Sequence, residues 1–423
     1  MSISSSLTAG VAGLAANSTR LATISDNIAN SGTYGYKKAT TDFESMVLTQ
    51  NRSAGTYSAG GVRASTSRLI SENGSLVSTS NSMDLAVNGR GFLPVTTTTS
   101  LNGSNDELLM TTTGSFATDS DGVLRTESGL VLLGWPANAD GSIASTTQIR
   151  DSISGLQPVV INANQTAADP TTAITLGVNL PAADADPAGY TTTIEYYDNL
   201  GAAQNLTVTF EPTGTNTWTM SIADGTGVLD TADLTFDDSR GSGGTLASAT
   251  GANYDSSNGT LTVNLGGDPN NPLTINIGKI GSTTGLTQLS DTFDPTSITK
   301  DGSPVGNLSG IEIDEKGYIK ATYDTGFVKT LYQIPLVDVS NTNGLSSLDN
   351  QTFKVSSTSG SFYLWDAGDG PTGTIEGYSR ESSTVDVAEE LTNLIQTQRA
   401  YSSNAKVIQT VDEMLQETTN MKR

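Results

Sequence analysis

Cysteine and histidine are both absent from this sequence of 423 residues. That excludes disulfides, thiolate and imidazole metal ligation, and every nucleophile that works through a histidine base. Only carboxylates remain of the common catalytic groups, so an enzyme, a cofactor or a bound metal is not expected. Aromatic residues make up 6% of the chain and apolar residues 35%, too little for one large core and suited to thin, well-wetted domains of strands and turns. Positive charge is scarce. The 21 Lys and Arg face 44 Asp and Glu, a formal net charge of -23, which argues against nucleic acid and anionic membrane surfaces as partners. No apolar run approaches a membrane span, so membrane insertion is not expected. Residues 1–19 hold no Lys or Arg and no long apolar stretch, so a cleaved signal peptide is not expected either. The length predicts two to four domains.

What the chain does have is periodicity at its two ends. Val387, Leu394, Tyr401, Ile408 and Leu415 recur every seven residues near the C-terminus, with Leu391, Ile395, Ala405 and Val411 beside them. Leu7, Leu14, Leu21 and Ile28 recur likewise at the N-terminus, with Ile3 and Ile24 on companion positions. A 3.5-residue average period keeps a seam facing another helix. The first helix is expected over about 4–30, stopping where Gly32 can take the left-handed position. The last is expected to start near Ser383, with Asp386 as a capping partner. Gly10 and Asn17 weaken a simple two-stranded coil, so pairing with the other terminus or stacking in an assembly is expected to order these helices.

Between the ends, 33–70 shows no lasting period, although Tyr34, Tyr36, Phe43, Met46, Val47 and Leu48 could pack; it reads as a connecting stalk. Short alternating runs with turn signals follow. Residues 151–280 then hold fourteen Asp and Glu against Arg240 and Lys279 alone, and stretches such as Leu206-Thr-Val-Thr-Phe mark a separate acidic β-domain. The spacing Asp314, Gly317, Ile319 echoes Asp119, Gly122, Leu124, through a shared sheet or through turn chemistry alone. The expected fold is mainly β with α-helical termini: a coiled-coil-like core domain of both ends (1–32 and 382–423), an inner β-domain (71–149 and 291–381), and an outer acidic β-domain (150–290) inserted in it.

The run Leu21 to Lys38, with Asn-Ile-Ala-Asn at Asn27 to Asn30 and Gly35, Tyr36 and Lys37 after it, resembles the N-terminal signature of bacterial flagellar rod, hook and hook-associated axial proteins. The run Glu390 to Leu415, with Gln398, Arg399 and Asn404 inside it, resembles the C-terminal signature of that family. Ser80 to Phe92 and Gly114 to Pro136 resemble its first β-domain. Length fits the hook members, since related rod proteins lack a large second β-insert.

The resemblance implies a structural subunit of the hook, a helical homopolymer acting as a flexible universal joint around an export channel. It implies as partners other copies of itself, a hook cap protein, the distal rod and hook-filament junction proteins, and the flagellar type III export apparatus. It places the chain in the flagellum, outside the cell. A distal rod or junction protein, or a secreted β-rich adhesin, remain alternatives.

Two local readings stay open. Asp119-Ser-Asp-Gly could suggest calcium, but Ser128 stands where an EF-hand loop needs its last carboxylate, leaving a solvated turn. Asn27, Asn30, Gln398 and Asn404 are poor choices in an exposed helix. They either face solvent or form buried hydrogen bonds that set register.

Overall fold

The computed structural model describes residues 3–46, 60–99, 107–138, 141–144, 148–162, 166–183, 185–251 and 253–420. Val47 and Leu48 lie outside them, as does the side chain of Ile3. The chain divides into two compact units, one of residues 1–163, 311–321 and 329–423, the other of 164–310 and 322–328.

In the first unit, α1 runs Ile3–Ala29 and α2 runs Val387–Asn420. Gly32 is not left-handed; after α1 the chain leaves through successive turns, Asn30 N–H to Asp26 C=O at 3.1 Å and Thr33 N–H to Asn30 C=O at 3.1 Å, and the first left-handed residue is Gly35 at φ +71°. The start of α2 is likewise later than Ser383. Asp386 is itself the N-cap, its carboxylate accepting from the N–H groups of Ala388 at 2.8 Å and Glu389 at 3.1 Å, which satisfies two donors that a helix start leaves orphaned.

The two helices pack together and run antiparallel, Gly10 lying against Val407 and Ile408, Gly13 against Asn404, and Asn27 against Glu390. The described residues of α1 that are buried are Ser5, Gly10, Gly13, Ala16, Asn17, Ile24 and Asn27. This is a heptad-spaced seam built mostly of small residues, lying beside the leucine line and not on it. The reason is steric: without Cβ atoms at 10 and 13, the backbones approach until Ile408 and Asn404 fill the gap.

Strands β1 (Ala39–Ser45) and β2 (Val62–Arg68) form an antiparallel pair in register from Ala39 opposite Arg68 to Ser45 opposite Val62. The pair lies along α1, with Thr23 and Thr41 hydroxyls 2.8 Å apart. Where a stalk was expected, the described part is therefore a hairpin-like ribbon. The rest of the unit is a web of short antiparallel strands around Phe92, Met110, Leu133, Trp135, Val337 and Leu364, all buried. Within it Asp84–Asn88 pairs with both Thr113–Thr118 and Thr374–Gly377, and Leu76–Ser78 pairs with Ser379–Glu381, the strand that leads to α2.

The Asp-x-x-Gly echo is real in geometry. Asp119 accepts from the N–H groups of Asp121 and Val123, and Asp314 from those of Lys316 and Tyr318, each at 2.9 to 3.0 Å. Gly122 and Gly317 are left-handed at φ +79° and +80°. Asp198 and Gly201 build the same turn in the other unit, however, at φ +76° with Leu200 and Ala202 as donors, so turn chemistry accounts for the echo.

Two sheets hold most of the described strands of the second unit. Tyr190–Tyr197, Ala203–Gly214, Thr217–Asp224, Gly227–Phe236 and Leu246–Gly251 form an antiparallel meander. In the other sheet Ala173–Pro181 is flanked by parallel Pro272–Asn276 and Leu286–Leu289 and by antiparallel Asp294–Lys300. Strict alternation sends Leu206, Val208 and Phe210, then Trp218, Met220 and Ile222, into one core. The strand Asp294–Lys300 pairs inside this unit, whereas Gln157–Pro158 pairs with Val131–Pro136 of the first. Pairing therefore sets the unit's limits later in the chain than the acidity that marks 150–290.

Replacing Gly13 with Leu tests the small-residue seam. A Cβ there would stand 2.9 Å from the Asn404 amide. Such overpacking costs about 1–3 kcal/mol, so the helical signal at 222 nm should melt earlier in Gly13→Leu, whereas Ala15→Leu on the exposed face should leave it in place.

Candidate assembly site

Two features of the first unit stand out as places where this chain could meet others: the junction that ties α1 and α2 to the strands, and the outer flanks of the helix pair.

The junction is built on Asn27, which is 1% exposed. Its Oδ1 accepts from Ala39 N–H at 3.0 Å and from the Tyr36 hydroxyl at 3.1 Å, while its Nδ2 donates to Ala39 C=O at 2.8 Å and to Glu390 Oε2 at 3.2 Å. One amide side chain thus joins α1, β1 and α2 and spends every bond it can make. Glu390 also takes Lys38 at 3.1 Å, and Lys38 reaches Glu389 at 3.0 Å. Burial works against the charge on Lys38, but the two carboxylates more than offset it and raise its pKa. Tyr36 donates to Asp26 at 2.9 Å, with the Arg68 guanidinium 4.9 Å over its ring. Burial first, then the bond to Asp26, pushes the Tyr36 hydroxyl up to about 12.

Beside this network lies a fully buried ion pair. Lys37 Nζ meets Glu381 Oε1 at 2.8 Å and donates to Glu72 C=O at 2.6 Å, with both side chains essentially without solvent. Gly74 N–H donates to the same Glu381 oxygen at 2.6 Å. Gly35 must be glycine: it is left-handed, a Cβ would stand 2.8 Å from Thr113 Cγ2, and its N–H donates to Glu381 C=O at 2.8 Å.

The helix pair is uncovered on its outside. Val387, Leu391 and Ile395 line one flank of α2 at 41, 46 and 50% exposure. On another flank Val407 and Met414 are 45 and 53% exposed and border a shallow groove of about 630 Å³ with Ser6, Thr410 and Val411. Contiguous apolar surface of this kind marks an interaction site.

Residues 7–37 match the family model of the flagella basal body rod protein, 160–303 that of the flagellar basal body protein FlaE D2 domain, and 375–421 that of the flagellar basal body rod FlgEFG protein C-terminal. The flagellar hook protein FlgE of Brucella suis is 35% identical, with all of both chains aligned. The chain belongs to the flagellar hook protein family. The hook protein of Escherichia coli is 29% identical over 97% of this chain and 98% of its own, and that of Caulobacter vibrioides 27% over all of both. A crystal structure of the Helicobacter pylori hook protein FlgE2 covers 72% of this chain and 99% of its own at 15% identity and a TM-score of 0.48.

The residues singled out in this hook-family sequence fall into three groups. Asn27, Gly35 and Tyr36 meet in the junction; Ile24 and Asn27 are on the buried seam, and Asn404 and Ile408 are half-buried against Gly13 and Gly10. Leu7, Leu14, Leu21, Ile28 and Leu394 are half-buried beside that seam, and Val387, Tyr401 and Leu415 are exposed. Asn30 bonds only locally, its Nδ2 donating to Asp26 C=O at 2.9 Å and to Asp26 Oδ1 at 3.0 Å, while Gln398 and Arg399 face outward. Lys37, Lys38, Glu381 and Glu390 are the junction residues to which the sequence reading gave no role. Two adjacent lysines after a helix, in a chain poor in bases, were the available signal.

Breaking a buried pair on one side leaves an uncompensated charge, at a cost of about 3–5 kcal/mol. Lys37→Met and Glu381→Met should each lower the unfolding free energy of the first unit, read from urea titration, by that much, and the double variant should recover most of it. The phenol gives a second check. A proton held more tightly in the fold than in the open chain stabilises at pH values below the ordinary tyrosine pKa of about 10. That contribution disappears as pH rises from there through about 12. Far-ultraviolet signal followed from pH 9 to 12.5 should show an alkaline loss of helix pairing, which Tyr36→Phe shifts upward.

Proposed function

We propose that this structural subunit of the flagellar hook polymerises through the uncovered flanks of α1 and α2, so that helix pairs from many copies line a tube around an export channel. The observation that carries this is the row Val387, Leu391 and Ile395, apolar and about half exposed on a helix that its own chain covers on one side only. Burying three such side chains is favourable by about 1.5–3 kcal/mol each, and the same row recurs on every copy. The helices then reach full order only as copies cover one another, since long helices with one satisfied face are marginal alone.

The strand-rich units form the outer layers of such a tube, and contacts among them that slide while the inner helices hold give bending with torsional stiffness. This suits a joint that passes motor torque to the filament. The distal rod and the hook-filament junction proteins would continue the polymer at its ends, a cap protein would guide growth, and the type III export apparatus would deliver the chain unfolded to the outside of the cell. A chain without cysteine passes such a route without oxidative trapping.

Ile395→Asp is the direct test. The variant should give no tubes by negative-stain electron microscopy at concentrations where the unaltered chain does. Its strand melting should shift by no more than about 0.5 kcal/mol, as for surface changes away from packed sites. Tubes of ordinary length from Ile395→Asp would refute the role of this flank.

A further inference from the structure

An open groove of about 660 Å³ lies on the first unit among Tyr34, the strand Thr113–Thr118, Arg125, Gln351 and Arg380. The Arg380 guanidinium sits 4.0 Å over the Tyr34 ring, which fixes its plane. Its Nε is buried without an acceptor, and none of the ion pairs among the described residues uses Arg380. Arg125, on the same groove, is held by Asp119 and has an unpartnered buried Nε as well. The wall opposite is strained: Asn350 and Gln351 are consecutive left-handed residues at φ +59° and +55°. A glutamine at the second of these positions is costly where glycine is usual. The strain keeps Gln351 beside Gly35, on the groove.

In a chain with 44 acids and 21 bases, an arginine stacked flat and left without a carboxylate is a fork awaiting a partner. We propose that the groove receives an exposed carboxylate from the second compact unit of another copy of this chain, gripped by Arg380. The proposal rests on the polymer described above for the meeting of copies. Charge selects the occupant: residues 151–280 carry fourteen acidic groups against two basic ones, and Glu211, Asp238, Asp255 and Asp268 among them are exposed. The first unit's own acids near the groove are Asp119, already paired, and Glu127.

Arg380→Lys keeps the charge and supplies an amine that a carbodiimide joins to a touching carboxylate with loss of water. The variant, made as an equal mixture of ordinary and nitrogen-15-labelled full chains, is cross-linked at the concentration where the unaltered chain forms tubes, digested and weighed. The expected product joins residue 380 to an Asp or Glu within 164–310, with mixed isotope labels. Same-label products only, no product at 380, or a product with an acid outside 164–310 would each overturn the proposal. Arg380→Gln should also raise the concentration needed for tubes about two- to fivefold, with a weaker dependence on salt. Tubes from Arg380→Gln unchanged in both respects would count against the groove alone, whereas failure of the unaltered chain to form tubes would count against the polymer reading and leave the cross-link readable.

Discussion

A lysine taken wholly out of water needs a carboxylate beside it, and the two that meet in this protein come from opposite ends of the chain. Lys37 follows α1 and Glu381 precedes α2. Desolvating both is expensive unless the geometry and the remaining hydrogen bonds are good; here Glu72 C=O takes a second bond from Lys37 and Gly74 N–H donates to Glu381 Oε1, while Glu381 Oε2 is buried without a partner. The pair therefore specifies more than it stabilises. It ties the two termini together beside the Asn27 amide, whose bonds to Tyr36 and Ala39 are local and whose bond to Glu390 reaches the other terminus. Helix pairing, the β1–β2 ribbon and the entry into α2 all hang from this point.

From it follows the contrast between the two faces of the helix pair. The inner seam uses Gly10, Gly13 and Ala16, which gain close backbone approach but bury little apolar area. The large side chains that would make a self-sufficient coiled coil sit instead at the sides or outside. A sequence that puts small residues at its internal contact and Leu391 and Ile395 on its uncovered flank leaves large apolar side chains of the helix pair facing outward in the single chain. In the polymer proposed above, that flank is the surface a second copy would cover.

The helices, the β-rich middle, the acidic segment and the family were legible because each rests on a repeated signal: a seven-residue recurrence, a two-residue alternation, a run of one charge. Asn27, Gly35 and Tyr36 were legible as a motif, and their roles became visible only with Ala39, Glu381 and Glu390 beside them. The close contact between α1 and α2 lies one step around α1 from the leucine line, because periodicity weighs large apolar residues and is blind to glycines that pack by having no side chain. Lys37 was visible only as a motif residue, and its buried pairing with Glu381 was not, because that pairing joins residues 344 positions apart, which no local pattern encodes. Arg399 and Gln398, which face outward, show that motif membership does not say which way a side chain points.

The acidity of the second unit has a further consequence for how such a chain keeps its form. With no histidine, no side chain has an ordinary pKa between about 5 and 8. Turn carboxylates such as Asp198, Asp237 and Asp255 are moved further from neutrality. Backbone N–H donors lower Asp198, with Ala202 the strongest, and the Ser239 and Ser257 hydroxyls lead in lowering Asp237 and Asp255. A depressed carboxylate contributes stability that is complete above its ordinary pKa and is lost only as pH falls through the depressed value. The junction fails in the other direction, since Lys38 and Tyr36 are both raised. The acid-sensitive turns and the alkali-sensitive junction therefore fail on opposite sides of neutrality, the turns as pH falls and the junction as it rises.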